Sequence, residues 1–430
     1  MNYKETLEYI HSVSWKGSRP GLERITELCK KMGDPQNSLK FVHVAGTNGK
    51  GSVSAMTSAV LSAAGYKTGL FTSPYLVDFC ERMSIDGEDI SHESLCESVE
   101  RVKPFADTME DAPTEFELIT AVAIDYFVKE KCDIVVFECG MGGRLDSTNV
   151  IEAPEAAVIT NIALDHVSFL GDTEEKIAYE KAGIIKEKKK GALDVILGGG
   201  SDEVKGVFEE KCRETNSELF TASEKIYVSD VKNTRDGIGF IYKNEEYFVP
   251  LCGLYQNMNI KTVLGVVEAL RKNGWRISDE ALKKGLAFVK WRGRFETLWD
   301  EPRVIFDGAH NPDGAAFTAS TFNTLYPGEK AVLIGGVMAD KDSFEMASSF
   351  AKTADTAFVF KPDNPRAMEA GEYASVLEKA GIDATPCESA LEAVKRGVVS
   401  AKEKNCPVLC AGSLYMYGEI LEAVKEVCVK

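Results

Sequence analysis

The sequence predicts an α/β protein of two unequal lobes, each built on a mostly parallel sheet. Three observations predict it. Short apolar runs of strand length alternate with amphipathic helical stretches along the chain. Several runs are nearly continuous, as in Asp133 to Cys139 (DIVVFEC) and Ala156 to Ile162, which marks parallel strands covered on both faces. The strand–helix pattern then restarts after Arg294, and 430 residues are too many for one core. A boundary near 295 gives domains 1–294 and 295–430, with no internal repeat.

The strongest local signal is Phe41 to Thr57, FVHVAGTNGKGSVSAMT. A strand-length run, Phe41 to Ala45, leads into Gly46-Thr47-Asn48-Gly49-Lys50-Gly51-Ser52, and Val53 to Ala64 continues as a helix. Strand, glycine loop and helix form the context of a phosphate-binding loop. Glycines let backbone N–H groups turn inward on an anion, and the helix N-terminus adds its positive dipole end. Lys50 supplies a point charge for the β- and γ-phosphates, and the Ser52 hydroxyl suits Mg²⁺. The usual Walker spacing is broken, because Val44 stands at its first glycine and Gly51 separates Lys50 from the hydroxyl. These departures point away from ordinary GTPases and ATPases. The first lobe is thus expected to be a P-loop-type, mostly parallel sheet domain, and the second a smaller Rossmann-like α/β domain.

Taken in order, residues 1–39 read as two helices around a loop, Lys16 to Gly21, with Leu22, Ile25 and Leu28 on one apolar face and Gly33 as the stop. Lys67 to Phe71 is the next strand, ending at Thr72-Ser73-Pro74, and 75–92 is a loop or short hairpin around Asp86-Gly87. Residues 93–130 are helical, broken near Pro104 and Pro113. Charged helical sequence runs from Thr173 to Lys190, and 193–250 alternates strands and a helix, with a hairpin in Gly237 to Pro250. Asn257–Asn273 and Ile277–Lys284 are helices. In the second lobe, Arg303–Phe306, Ala331–Gly335, Thr356–Phe360 and Pro407–Ala411 are strands with helices between them.

Composition narrows the class. Hydrophobic residues make up 44% and charged residues 27%, ordinary for a soluble globular protein. A net charge of −17 argues against a nucleic-acid partner, which needs a basic footprint. Eleven cysteines without a CxxC pair read as reduced thiols, and the Cys406/Cys410 pair as strand packing rather than a metal clip. The N-terminus has no apolar signal core, and no eighteen-residue apolar run marks a membrane span. A cytoplasmic protein without a membrane partner is expected.

Ligands of open α/β sheets bind at the carboxyl ends of the strands. Ser73, Glu138, His166 and, in the second lobe, Asp307 with His310 fall at such ends. A buried strand ending in Glu beside a phosphate loop suits Mg²⁺, which takes carboxylates, hydroxyls and phosphates. Taken singly, each has a plainer reading: Ser73 caps the turn before Pro74, Glu138 pairs with an Arg, and His166 is a core histidine.

A set of further motifs runs in order along the chain. It comprises Phe71-Thr72-Ser73-Pro74, Glu81-Arg82, Phe116-Glu117, ECGMGGRLDSTN (138–149), NIALDHVSFLGDT (161–173) and Glu180-Lys181-Ala182-Gly183-Ile184. Gln256 with Asn259, Gly293-Arg294-Phe295-Glu296, Asp307-Gly308-Ala309-His310-Asn311-Pro312 and Gly412-Ser413-Leu414-Tyr415 complete it. With the loop 46–52, the set resembles the folylpolyglutamate synthase and dihydrofolate synthase family, ATP-dependent amide ligases related to the Mur cell-wall ligases.

The resemblance implies the following. Thr47, Asn48, Gly49, Lys50, Gly51 and Ser52, with Asn259, Arg294 and Asp307, would contact ATP. Ser52, Ser73, Glu138, His166 and Lys181 would hold two Mg²⁺ ions. Lys181 matches a lysine that the family often carries as an N-carboxylate, formed with CO₂ or bicarbonate; from the sequence alone it reads as a helix lysine paired with Glu180 or Glu187. Lys50, Lys181 and His310 are the catalytic candidates. Arg19, Pro20, Gly21 and Leu22, then Thr114, Glu115, Phe116 and Glu117, then Asp146, Ser147 and Thr148 match segments that line the pterin site. The partners implied are a folate or dihydropteroate, L-glutamate and ATP, and the family is usually monomeric. The implied route phosphorylates a carboxylate to an acyl phosphate that the glutamate amine attacks, with the second domain closing on ATP. The family's patterns are broken at Tyr75, Asp78 and Glu115, on the pterin side, which leaves open whether the acceptor is dihydropteroate, a reduced folate or both. Two competing readings are a Mur-type ligase for another carboxylate and a nucleotide-binding protein without ligase chemistry.

Overall fold

The computed structural model describes residues 1–13, 17 and 19–428. Lys16 and Ser18 of the expected loop lie outside the described residues. The chain divides into two compact units. The first comprises residues 1–229, 241–248 and 258–289, and the second 230–240, 249–257 and 290–430. Among the described residues, no helix is long and apolar enough to cross a membrane.

The first unit carries an eight-stranded sheet. Its strands are β1 (Phe41–Ala45), β2 (Thr68–Phe71), β3 (Met83–Ile85), β4 (Glu88–Asp89), β5 (Ile134–Glu138), β6 (Ala156–Ile159), β7 (Asp194–Leu197) and β8 (Glu218–Thr221). They lie in the order β4-β3-β2-β5-β1-β6-β7-β8. β2, β5, β1, β6, β7 and β8 are parallel, while β3 and β4 form an antiparallel edge turned at Asp86-Gly87. β1 and β5 are buried at every position, which is why their sequences do not alternate. Helices cover both faces. One core gathers Ile25, Leu28, Leu118, Val122 and Phe127, and the other Ile177, Ile184, Val195 and Phe208.

A three-stranded sheet has β9 (Ser229–Asn233), β10 (Ile238–Tyr242) and β11 (Glu245–Val249) in the order β11-β10-β9. The second unit's sheet has β12 (Glu296–Asp300), β13 (Arg303–Asp307), β14 (Ala331–Gly335), β15 (Ala354–Val359), β16 (Asp383–Pro386) and β17 (Val408–Ala411). Its order is β12-β13-β17-β14-β15-β16, parallel except for β12.

The local expectations need four corrections. The helix His92–Ala106 runs through Pro104, because the proline lies in the last turn and the Asp107 amide still closes on the Lys103 carbonyl at 2.9 Å. The helix expected from Thr173 to Lys190 stops at Ala182, followed by Gly183, whose packing leaves no room for a Cβ beside Arg144. β12 and β16 are strands that the sequence did not announce. Both lie at sheet edges and are half exposed, so neither carries an apolar run.

Candidate active site

The four central strands of the first sheet place their carboxyl ends along one edge. Register aligns Val44 with Glu138, Ala45 with Ile159 and Phe71 with Phe137. The loop after β1, the carboxylate at the end of β5, Ser73 after β2 and Asn161 after β6 are therefore neighbours. Gly46 has φ +149° and lies so close to Thr160 that a Cβ would overlap its hydroxyl at 1.8 Å. Gly49 has φ +84°, and a Cβ there would stand 2.4 Å from Asn259 Oδ1. Both glycines are required by close approach as well as by backbone conformation.

Side chains from β6 onward fix the loop. The Asn48 amide donates to Asn161 Oδ1 at 2.6 Å, and Thr160 Oγ1 donates to the Asn48 carbonyl at 2.6 Å. Thr47 Oγ1 donates to the Ala163 carbonyl at 3.0 Å and accepts from the Ala163 amide at 3.1 Å. Lys50 begins the helix Lys50–Ala63, and its Nζ donates to the carbonyls of Gly46 and Thr47 at 3.0 and 3.1 Å. Ser52 is buried in the first turn of this helix.

Lys181 comes to the same place. Its Nζ donates to the Gly46 carbonyl at 2.8 Å, so two lysines share one oxygen. Lys181 is 3% exposed. Burial, with the Lys50 cation beside it, brings the ammonium pKa down to about 7. Neither Glu180 nor Glu187 accounts for it, and Glu180 pairs with Arg144 instead at 2.8 Å. Glu138, 3% exposed, accepts from the Ser73 amide at 3.2 Å. His166 follows β6 with a left-handed backbone, φ 49°, and its amide donates to Asp165 Oδ1 at 2.8 Å. The Glu138 carboxylate and the nearby serine hydroxyls are oxygen donors, which suit a hard cation such as Mg²⁺.

The three segments expected on the pterin side also converge. Arg24 Nε donates to Glu117 Oε2 at 2.9 Å, and Arg24 Nη2 donates to the Arg19 carbonyl at 2.5 Å. The Gly21 amide meets the Leu145 carbonyl at 3.4 Å, joining the stretch of Arg19, Pro20, Gly21 and Leu22 to the segment before Asp146. Thr114 caps the helix Glu115–Lys129 in a reciprocal box with Glu117. Thr120 Oγ1 lies 2.7 Å from Ser147 Oγ, and Phe116 packs where a Cβ on Gly140 would be, just past β5. Asp146 is buried, accepts from the Met141 amide at 2.8 Å and from Thr148 Oγ1 at 2.5 Å, and burial raises its pKa. Glu117 Oε1 is buried without a partner among the described residues. Glu115, by contrast, faces His11 Nδ1 at 3.3 Å.

In the second unit, Asp307 ends β13 with both oxygens engaged. Oδ2 accepts from Tyr255 Oη at 2.8 Å and from the Phe295 amide at 2.9 Å. Oδ1 accepts from Thr318 Oγ1 at 2.7 Å and from the Ala309 amide at 3.0 Å. Arg294 lies against Gly308, where a Cβ would come within 2.3 Å of its Nη1. His310 Nδ1 lies 3.0 Å from the Gly308 carbonyl, and Asn311 caps the helix Pro312–Leu325.

Sequence reasoning passed over Thr160, Tyr255 and His43, which is buried against Cys139 and the predicted Thr148. His43 Nε2 lies 2.9 Å from Thr148 Oγ1 and 3.2 Å from Cys139 Sγ, and burial keeps the imidazole neutral. Only the strand-end position of Thr160 was a usable signal; the others follow from tertiary contacts. All eleven cysteines are free thiols.

Comparison with known proteins agrees with this architecture. Residues 44–267 match the Mur ligase middle domain, and residues 293–414 the Mur ligase glutamate ligase domain. The dihydrofolate synthase/folylpolyglutamate synthase of Bacillus subtilis is 34% identical over 98% of this chain and 99% of its own. The structure of Mycobacterium tuberculosis folylpolyglutamate synthase complexed with ADP and AMPPCP superimposes with a TM-score of 0.91 at 29% identity, covering 99% of this chain and 98% of that one. Escherichia coli FolC in complex with DHPP and ADP gives 0.87 at 28% identity, with coverage of 99% and 98%. By domain content, full-length similarity and fold, the chain belongs to the dihydrofolate synthase/folylpolyglutamate synthase family of Mur ligases.

Proposed function

We propose that this chain is an ATP-dependent carbon–nitrogen ligase that joins L-glutamate to a folate, to dihydropteroate, or to both. One observation carries the reading: two lysines, a buried glutamate and a glycine loop crowd one sheet edge, and the three converging segments lie beside it. A carboxylate does not form an amide unless its oxygen is made a leaving group. The γ-phosphoryl of ATP passes to that oxygen, giving an acyl phosphate and ADP. The α-amine of glutamate then attacks the carbonyl carbon, phosphate departs, and the amine loses a proton to solvent.

Such a reaction is catalysed by positioning and charge neutralisation. The loop amides and Lys50 orient the phosphates, for which Lys50 Nζ must leave the carbonyls it now holds. Ser52, Ser73, Glu138 and His166, with Lys181 as its carbamate, would hold two Mg²⁺ ions, which supply positive charge to the transferring phosphoryl. A pKa of about 7 leaves the Lys181 amine substantially neutral at physiological pH. The neutral amine attacks CO₂ and releases one proton, turning a repelled cation into an anionic oxygen ligand. Arg294 would add charge for the nucleotide, as its family motif implies. Asp307 acts by holding the Phe295 and Ala309 amides in place, and His310 belongs to the loop it orders. Glu117 Oε1 offers a buried acceptor to a ligand N–H. ATP and folate binding are assigned to residues 1–294 and the glutamate ligase part to 295–430, in a cytoplasmic monomer.

The test is phosphate release from ATP with Mg²⁺ and bicarbonate, requiring both L-glutamate and a pteroate. Dihydropteroate and reduced folate monoglutamates are assayed separately. Release that needs neither glutamate nor any pteroate overturns the reading.

A further inference from the structure

Around the antiparallel edge strands β3 and β4, Asp78, Cys80 and His92 each offer one ligating atom, and these atoms lie within 4.8 Å of one another. Asp78 caps the 3₁₀ turn Phe79–Arg82, Cys80 lies within that turn, and His92 opens the helix His92–Ala106. Asp78 Oδ1 is held by Tyr3 Oη at 3.0 Å and by the Cys80 amide at 2.8 Å. This aims Oδ2 at His92 Nε2, 3.1 Å away. The imidazole lies flat on the Tyr3 ring, 3.6 Å between centroids and 7° between planes. Cys80 is buried beneath the pair, whereas His92 is exposed to solvent.

An exposed His–Asp pair alone contributes only about 0–1 kcal/mol and needs no thiol under it. One thiolate, one imidazole and one carboxylate, however, form a mixed sulfur, nitrogen and oxygen set. Zinc accepts such a set in tetrahedral geometry, and Mg²⁺ does not. The thiolate and carboxylate together cancel a double positive charge. The geometry points to a zinc-type divalent cation site formed by Asp78 Oδ2, Cys80 Sγ and His92 Nε2, with water in the fourth position.

Binding balances simply. The Cys80 S–H bond breaks, a sulfur–metal bond forms, and the proton goes to solvent. His92 gives its Nε2 lone pair with the ring hydrogen on Nδ1, and no electrons are transferred. Burial and the adjacent Asp78 push the free thiol up to about 12, so it carries its proton until the ion arrives. The Tyr3 hydroxyl and the Cys80 amide orient the carboxylate from the second layer. The ion would tie the helix Tyr3–His11, the 3₁₀ turn and the helix His92–Ala106 together.

The full chain, stripped with a chelator, is titrated with Co²⁺ in excess Mg²⁺, which saturates the oxygen-rich edge. One equivalent should raise an intense thiolate-to-cobalt absorption band and release one proton, and Zn²⁺ should bleach the band. C80S should abolish it while C139S retains it, and D78N and H92N should weaken binding at least about tenfold. Because His92 is exposed, H92N tests the site without disturbing the core. A band that survives C80S, no band from the folded wild-type chain, or wild-type affinity in H92N overturns the proposal.

Discussion

Lys181→Met removes an ionisable amine from a position 3% exposed while keeping an unbranched side chain one heavy atom shorter. In the folded chain this amine titrates at about 7 rather than 10.5. At about 1.4 kcal/mol per pKa unit, keeping it buried costs the native state about 5 kcal/mol at pH values where both the folded and the unfolded chain are protonated. The sign follows from proton counting. Between the folded value of about 7 and the unfolded 10.5, the unfolded chain holds a proton that the native chain lacks, so stability rises with pH across that window. The penalty is complete below about 7 and gone above 10.5. From about pH 6 to about pH 9 the wild-type chain gains about 2–3 kcal/mol from this group, and the variant does not. The variant loses one hydrogen bond to the Gly46 carbonyl, worth about 1 kcal/mol at every pH, and that carbonyl keeps Lys50. Lys181→Met is therefore expected to be the more stable protein by about 3–4 kcal/mol near pH 6 and by about 1 kcal/mol near pH 9, and to be inactive as a ligase. Urea titrations at the two pH values, without CO₂, Mg²⁺ or nucleotide, read the difference as a shift in midpoint at constant slope. The same stability difference at both pH values would refute the argument.

Three further outcomes are expected. Lys50→Met should lower glutamate-dependent phosphate release at least about 100-fold with little change in thermal midpoint; wild-type turnover would remove Lys50 from the reaction. Gly49→Ala forces a Cβ into φ +84° and to 2.4 Å from Asn259 Oδ1, so it should cost at least about 1–2 kcal/mol and weaken ADP binding in a fluorescence titration. Unchanged affinity would mean that the loop does not need this conformation. Arg24→Ala leaves the buried Glu117 carboxylate without its cation and should destabilise the chain by about 3–5 kcal/mol in urea unfolding. A loss below about 1 kcal/mol would mean that water reaches the pair.

The edge that carries the phosphate loop was readable in the sequence because each of its parts is a local event. β1, β5 and β6 are short, largely apolar runs; β1 passes into the glycine loop, β5 ends at Glu138, and β6 is followed by Thr160 and Asn161. The glycine loop, the Asp86-Gly87 turn and the ordered family motifs are local in the same sense. What the sequence hid involves partners distant along the chain. Local spacing alone offers Lys181 Glu180 or Glu187 as a partner, since helix neighbours are the default company for a charge, and only the family motif pointed it to the metal site. Folding instead gave Glu180 to Arg144 and brought Lys181 to the carbonyl of Gly46.

The sequence by itself determined an α/β chain with a phosphate-binding loop and a family resemblance, because strand burial, turn chemistry and motif order are written in consecutive residues. Only the tertiary structure decided that two lysines meet on one oxygen, that both Asp307 oxygens are occupied, and that Asp78, Cys80 and His92 face one another. Protonation and coordination depend on burial and on distances across the fold, and neither is a property of neighbouring residues in the chain.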